Sequence, residues 1–152
     1  MSTDFLKFDR EPAEQVFQEV SDLMDEHYEE ASVRTNELNP NWDMYMLLDQ
    51  EGHLGMYTAR NPEGELVGYM VVVADNSLHS KETCIATTDS LYIRPEDRTP
   101  FAGLRFLSYV ERDLASKGIT SLSVASSERK PIGNLLSYMG FDVLETVYYK
   151  EI

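Results

Sequence analysis

The stretch from Asp89 to Leu107 constrains the fold of this chain more than any other. It passes from strand-forming residues through a polar turn to a small-residue corner, Ala102-Gly103, and then into an amphipathic helix. A strand that bends sharply into a helix aims backbone N–H groups and the positive end of a helix dipole at one point, where an anion is held. Small residues at the bend let that anion approach the backbone closely. Arg98 and Arg105 stand where they add positive charge. By itself an Arg-x-x-x-x-Gly spacing also describes an ordinary surface turn, so the rest of the chain has to decide.

The neighbouring patterns point to an α/β sheet. Residues 4–8 read as a short first strand. Pro12 suits a first helical turn, and Ala13, Val16, Phe17, Val20, Leu23, Met24 and Tyr28 recur at helical spacing to about residue 30. The other face of that helix is acidic, most simply a solvated surface. A polar linker over 31–41 leads to a helix over 42–51. Strands are expected at 56–60 and 65–75, joined by Asn61-Pro62-Glu63-Gly64, and the Val71-Val72-Val73 run implies burial on both faces. A polar loop over 76–82 precedes a strand over 83–94. After the corner come a helix over 103–117, a strand over 120–125, a helix over 131–139 and a last strand over 143–150. The order β-α-α-β-β-β-α-β-α-β describes one domain, residues 1–152, with a sheet covered by helices on both faces.

Composition narrows the function. A chain of 152 residues with 42% hydrophobic content can bury a real core. No apolar run approaches a membrane span, and residues 1–10 show no basic-then-apolar leader. The single cysteine, Cys84, forms no internal disulfide, which fits the cytoplasm. The net charge of −14 is uneven: residues 1–80 carry 17 acids and 4 bases, whereas residues 81–130 carry 7 acids and 8 bases. Only the middle third therefore suits an anionic ligand. The acidic remainder repels nucleic acid and attracts cations such as amines or basic protein segments, or it simply keeps the chain soluble. No spacing of metal ligands occurs.

Set among these elements, three stretches resemble the GNAT superfamily, the N-acyltransferases that use acetyl-CoA. Asp89-x-Leu91-Tyr92-Ile93-x-Pro95-Glu96-Asp97-Arg98 looks like that family's central strand and the start of its pyrophosphate loop. Glu65-Leu66-Val67-Gly68-Tyr69 looks like the strand before it, and Met139-Gly140-Phe141 like the Gly-Phe after its last helix. Residues 77–81 further resemble a bacteriophage-encoded branch. The resemblance is clearest over 56–141. It implies a mixed, mostly antiparallel sheet that splays open, with pantetheine between the diverging strands 85–94 and 120–125. Backbone groups of Leu91 and Ile93, with Tyr92 between them, would pair with pantetheine. The stretch Arg98, Thr99, Phe101, Ala102, Gly103 and Leu104 would hold the pyrophosphate. Acetyl-CoA would be the cosubstrate, a cationic amine the acceptor, and a homodimer a plausible assembly.

Two departures from the family loop stand out: Phe101 occupies the place of a glycine, and Pro100 has no N–H to offer a phosphate. Leu136 stands where the family often places a tyrosine acid, and Arg129 where it often has an asparagine. Tyr138 lies two residues on and points elsewhere around the helix. Asp89 is the best candidate base, or else a strand-end carboxylate bonded to backbone. Glu82 and His79 are weaker candidates. Tyr148 and Tyr149 alternate on the expected last strand, so one of them is expected to face inward and line the acceptor groove. Two functions compete: an amine N-acetyltransferase, and an inactive acidic module that binds a basic or nucleic-acid-binding partner.

Overall fold

The computed structural model describes residues 5–31, 38–76, 83–88 and 91–152. Among the described residues six strands and four helices follow in the order β1 (Lys7–Arg10), α1 (Ala13–Ala31), α2 (Trp42–Gln50), β2 (Leu54–Arg60), β3 (Leu66–Asn76), β4 (Cys84–Thr88), β5 (Tyr92–Ile93), α3 (Ala102–Ser116), β6 (Ser121–Val124) and α4 (Gly133–Tyr138). A short 3-10 turn, Pro95–Asp97, links β5 to the corner. The sheet order is β1-β2-β3-β4-β6, and β5 pairs with β3. Every pairing is antiparallel except β4 with β6.

Alternation along β2 and β3 builds two cores, one on each face. Tyr57, Ala59, Met70 and Val72 meet Phe106, Leu107, Val110 and Leu114 of α3. On the opposite face Leu54, Met56, Leu66 and Tyr69 meet Val16, Val20, Leu23 and Met24 of α1. Each Val, Leu, Met or Phe among them contributes about 1.5–3 kcal/mol when fully withdrawn from water. Charges fix the helices on the sheet. Asp49 of α2 accepts from the N–H of Ala13 at 2.8 Å, so an acid of one helix caps the positive end of the helix before it. Arg60 of β2 reaches both Glu11 at 3.0 Å and Glu19 at 2.9 Å. Burial disfavours the Glu11 charge, but hydrogen bonds from Arg60 and Thr58 outweigh it and hold the carboxyl below its usual range. The β2–β3 hairpin turns at Gly64, whose φ of 84° no other residue adopts without strain.

Three expectations need correction. The first strand covers Lys7–Arg10 rather than 4–8, because pairing with Tyr57–Arg60 of β2 sets its bounds. The strand expected over 83–94 is two pieces, because β3 pairs with β4 at its far end and with β5 near its start. The last strand, 143–150, does not form within the single chain. Residues 142–152 are exposed throughout, so neither Tyr148 nor Tyr149 gains an inward face there.

Candidate active site

The broken strand opens the sheet. β4 and β6 run together from Ile85↔Ser121 to Thr88↔Val124, and the N–H of Ala125 still donates to the Thr88 carbonyl at 3.1 Å. Beyond that point they part. β5 stays with β3 through Gly68↔Ile93 and Tyr69↔Tyr92, while the chain after Ala125 leaves towards α4. Gly68 permits this close pairing, since a Cβ there would sit 2.8 Å from the Tyr92 carbonyl oxygen. The resulting slot is a cavity of about 220 Å³. Leu91 and Ile93 form one wall, and Ser127, Lys130, Ile132 and Leu135 form the other. Arg98, Thr99 and Gly103 close the end at α3, and His27 and Glu30 reach in from α1.

The end at α3 has the character expected of an anion site. The first intrahelical bond of α3 runs from Arg105 N–H to the Phe101 carbonyl, so the N–H groups of Gly103 and Leu104 precede any helical acceptor. The Ala102 N–H is taken by the Thr99 carbonyl at 3.0 Å. Phe101 turns the corner in the left-handed region, φ 69°, and the residue is 70% exposed. A glycine adopts that conformation freely, and Phe101 carries its steric cost of about 1–2 kcal/mol. A Cβ on Gly103 would meet only the ends of Leu135 and Leu91, at 3.2 and 3.5 Å, so larger side chains there extend into the slot.

Arg98 is held across the slot rather than over the corner. Its Nε donates to the Ile93 carbonyl at 2.7 Å, its terminal nitrogen meets Glu30 at 2.6 Å, and its guanidinium lies over the Tyr92 ring. On the antiparallel ladder Arg94 donates to Val67, so residue 93 turns its polar groups the other way, into the slot. The Ile93 carbonyl, expected to meet pantetheine, is thus engaged by Arg98.

Of the residues read from the sequence, Leu91, Ile93, Arg98, Thr99 and Gly103 come together in the cavity. Tyr92 does not line it: its ring is buried on the α1 face, stacked on His27 at 4.8 Å. Burial, then the nearby Glu26 and Glu30, push the Tyr92 hydroxyl above its usual range. Ala102 is buried in the α3 core, and Leu104 is half-buried. Leu136 is a core residue and Tyr138 is exposed, so neither supplies an acid to the slot. Asp89, His79 and Glu82, and the stretch 77–81, lie outside the described residues.

His27 and Glu30 were not legible as site residues. His27 shares a 2.6 Å hydrogen bond between Nδ1 and the Tyr69 hydroxyl, and it edges the Tyr69 ring. The signal was present in spacing: Val16, Val20, Leu23 and His27 continue one stripe at steps of four, three and four. Among the described residues no cluster suits a metal ion, and no helix is long and apolar enough to cross a membrane.

No known family's sequence profile matches the chain, and no curated protein does. Solved structures do. A ribosomal-protein-alanine N-acetyltransferase from Brucella melitensis superposes with a TM-score of 0.74 at 12% identity, covering 97% of this chain and 99% of that one. An aminoglycoside acetyltransferase from an uncultured soil metagenomic sample, in complex with sisomicin, gives 0.74 at 15%, covering 97% of each. The aminoglycoside N-acetyltransferase AAC(6')-Iy, in complex with CoA, gives 0.69 at 13%, covering 99% of this chain and 97% of that one. The chain has the fold of the GNAT acetyltransferases.

Proposed function

We propose that the chain is a cytoplasmic N-acetyltransferase that moves the acetyl group of acetyl-CoA to a cationic primary amine. One observation carries the reading: the β4–β6 pair splays into a slot that ends at the N-terminus of α3. An extended, partly apolar chain fits between Leu91 and Ile93 on one side and Ile132 and Leu135 on the other. Diphosphate fits the α3 end, where the helix dipole and the N–H groups of Gly103 and Leu104, which precede any helical acceptor, are available, with Lys130 on the facing wall of the slot. That CoA occupies the AAC(6')-Iy fold supports this choice of ligand.

The acceptor enters from the α1 side, where Asp22, Glu26, Glu29 and Glu30 outnumber the two arginines paired there, Arg94 and Arg98, and leave the negative field a cation needs. In the reaction the amine nitrogen bonds to the thioester carbon and the carbon–sulfur bond breaks. The thiolate leaves with the electron pair and takes up a proton. The attacking nitrogen gives up its own proton to a base. His27 suits that role, because imidazole accepts protons near neutral pH and Tyr69 holds the ring at Nδ1 beside the slot. Asp89 is the second candidate base.

Thiol release from acetyl-CoA, followed across pH with di- and polycationic amines and with a neutral amine, tests this reading. Turnover is expected with the cationic amines. His27→Gln should lower kcat about 10²-fold and remove the limb of the pH profile that rises near neutrality. If Asp89→Asn removes that limb and His27→Gln does not, the base is Asp89. If neither does, both assignments fail.

A further inference from the structure

Among the described residues, Phe101 alone has a positive φ without being glycine. Gly52, Gly64, Gly118 and Gly140 adopt that region freely, whereas a side chain there is strained. Such strain persists where packing offsets it or where a site uses it. Packing does not offset it here. Phe101 is 70% exposed and belongs to neither core. The ring–ring contacts of the described residues all join other side chains. Arg105, one turn along α3, places its guanidinium over Phe5 and Phe8 instead, 4.9 and 5.2 Å from their ring centres. A glycine at 101 would relax the corner and remove no ring contact from the chain.

The residue stands at the mouth of the slot. Thr99 and Gly103, two residues to either side, line it. The N–H groups of Gly103 and Leu104, which follow Phe101 in the first turn of α3, are those proposed for the diphosphate. Along acetyl-CoA the covalent order is thioester, pantetheine, diphosphate, ribose and adenine. With pantetheine in the slot and diphosphate at the corner, the nucleoside is the next group outward. It emerges where Phe101 is exposed. A purine has a flat, neutral face and stacks on an aromatic ring that keeps one face open. Pro100 fixes its own φ immediately before the ring, so the turn is restrained before any ligand arrives.

We propose that the Phe101 ring is the platform on which the adenine of acetyl-CoA stacks, an inference that rests on acetyl-CoA occupying the slot. The side chain thereby selects the whole cosubstrate over a thioester that lacks the nucleoside.

Calorimetry with two ligands, directly or by displacement, tests this. One is acetyl-CoA. The other is S-acetyl-4'-phosphopantetheine, which keeps the thioester and pantetheine and lacks the nucleoside. Removing the ring under a stacked base lowers affinity roughly fivefold to hundredfold, and an exposed platform lies towards the lower end. Phe101→Gly should therefore bind acetyl-CoA about tenfold more weakly than wild type and bind the phosphopantetheine thioester equally well. It should keep its native circular dichroism, since glycine adopts the corner freely. Phe101→Leu should lose as much affinity, and Phe101→Trp should retain it. Undiminished acetyl-CoA affinity in Phe101→Gly overturns the proposal and leaves the slot standing. An equal fall with both ligands does the same, because residue 101 would then only shape the corner. Full affinity in Phe101→Leu also overturns it, because the contact would be apolar rather than stacked. A wild type that binds neither ligand overturns the slot reading and this inference together.

Discussion

Glu30→Gln should make the protein bind acetyl-CoA more tightly. In the unliganded chain the Glu30 carboxylate holds Arg98 at 2.6 Å, and both groups line the slot. A diphosphate brought against Arg98 finds that guanidinium already neutralised and meets a carboxylate beside it. Two like charges roughly 6 Å apart repel by about 0.7 kcal/mol in water and about 2.8 kcal/mol at an effective dielectric of 20. The pair is partly exposed, so about 1 kcal/mol is the reasonable figure, and affinity should rise about fivefold. The neutral amide retains the size of the carboxylate, so packing is unchanged. Losing the ion pair costs stability by at most about 1 kcal/mol. Isothermal titration with acetyl-CoA at low and high salt is the assay. The gain should be largest at low salt and shrink as salt screens the slot. Unchanged or weaker binding by Glu30→Gln at low salt would refute the idea that this pair opposes the cosubstrate.

Other consequences follow from the same geometry. Gly68→Ala places a Cβ 2.8 Å from the Tyr92 carbonyl oxygen, so β5 must shift from β3. It should cost about 1–3 kcal/mol in denaturant melts and weaken acetyl-CoA binding, because Leu91 and Ile93 move with the strand. Equal stability and equal affinity would contradict the placement of the slot wall. Acid should destabilise the fold through Glu11 and Asp113. Burial opposes each charge, but Arg60 and Thr58 around Glu11, and Lys117 and Tyr57 around Asp113, hold both carboxyls below their ordinary values of 4.5 and 3.8. Their stabilisation is complete above those values and is lost as pH falls through the lower folded values. Asp97 and Glu111 are raised by burial and act in the opposite sense, so the comparison is best made between wild type and Arg60→Gln. The variant should lose less stability than wild type between pH 5 and about pH 2; a parallel loss would remove Glu11 from the account.

Much of this architecture was written into local pattern. The α3 stripe of Leu107, Val110 and Leu114 lies against the sheet as its helical spacing required, with Leu104 half-buried at its start, whereas the Val71-Val72-Val73 run is not buried on both faces: Val72 is buried, Val71 half-buried and Val73 41% exposed. The corner at Ala102-Gly103 was legible because small residues followed by an amphipathic pattern mark the backbone directly. What escaped was long-range. Nothing in residues 83–94 says that β3 will hand its partner from β4 to β5, since both pieces are equally strand-like. His27 looked like one more position on an acidic helix until Tyr69 and Tyr92 were brought to it by the sheet. Arg98 read as a phosphate ligand because its partner Glu30 is 68 residues away in sequence. The segment 143–150 has the composition of a strand, but composition does not by itself supply a sheet edge to pair with, and no strand forms there.

Calorimetric titration of acetyl-CoA into wild type and Gly103→Glu measures the central claim most directly. A glutamate at 103 projects past Leu135 and Leu91 into the slot and sets a negative charge where the diphosphate is to sit. The account predicts saturable binding at one site per chain in the wild type, and none in a Gly103→Glu variant that retains native circular dichroism. A folded wild type that takes up no acetyl-CoA, or a variant that binds as well as wild type, would contradict it.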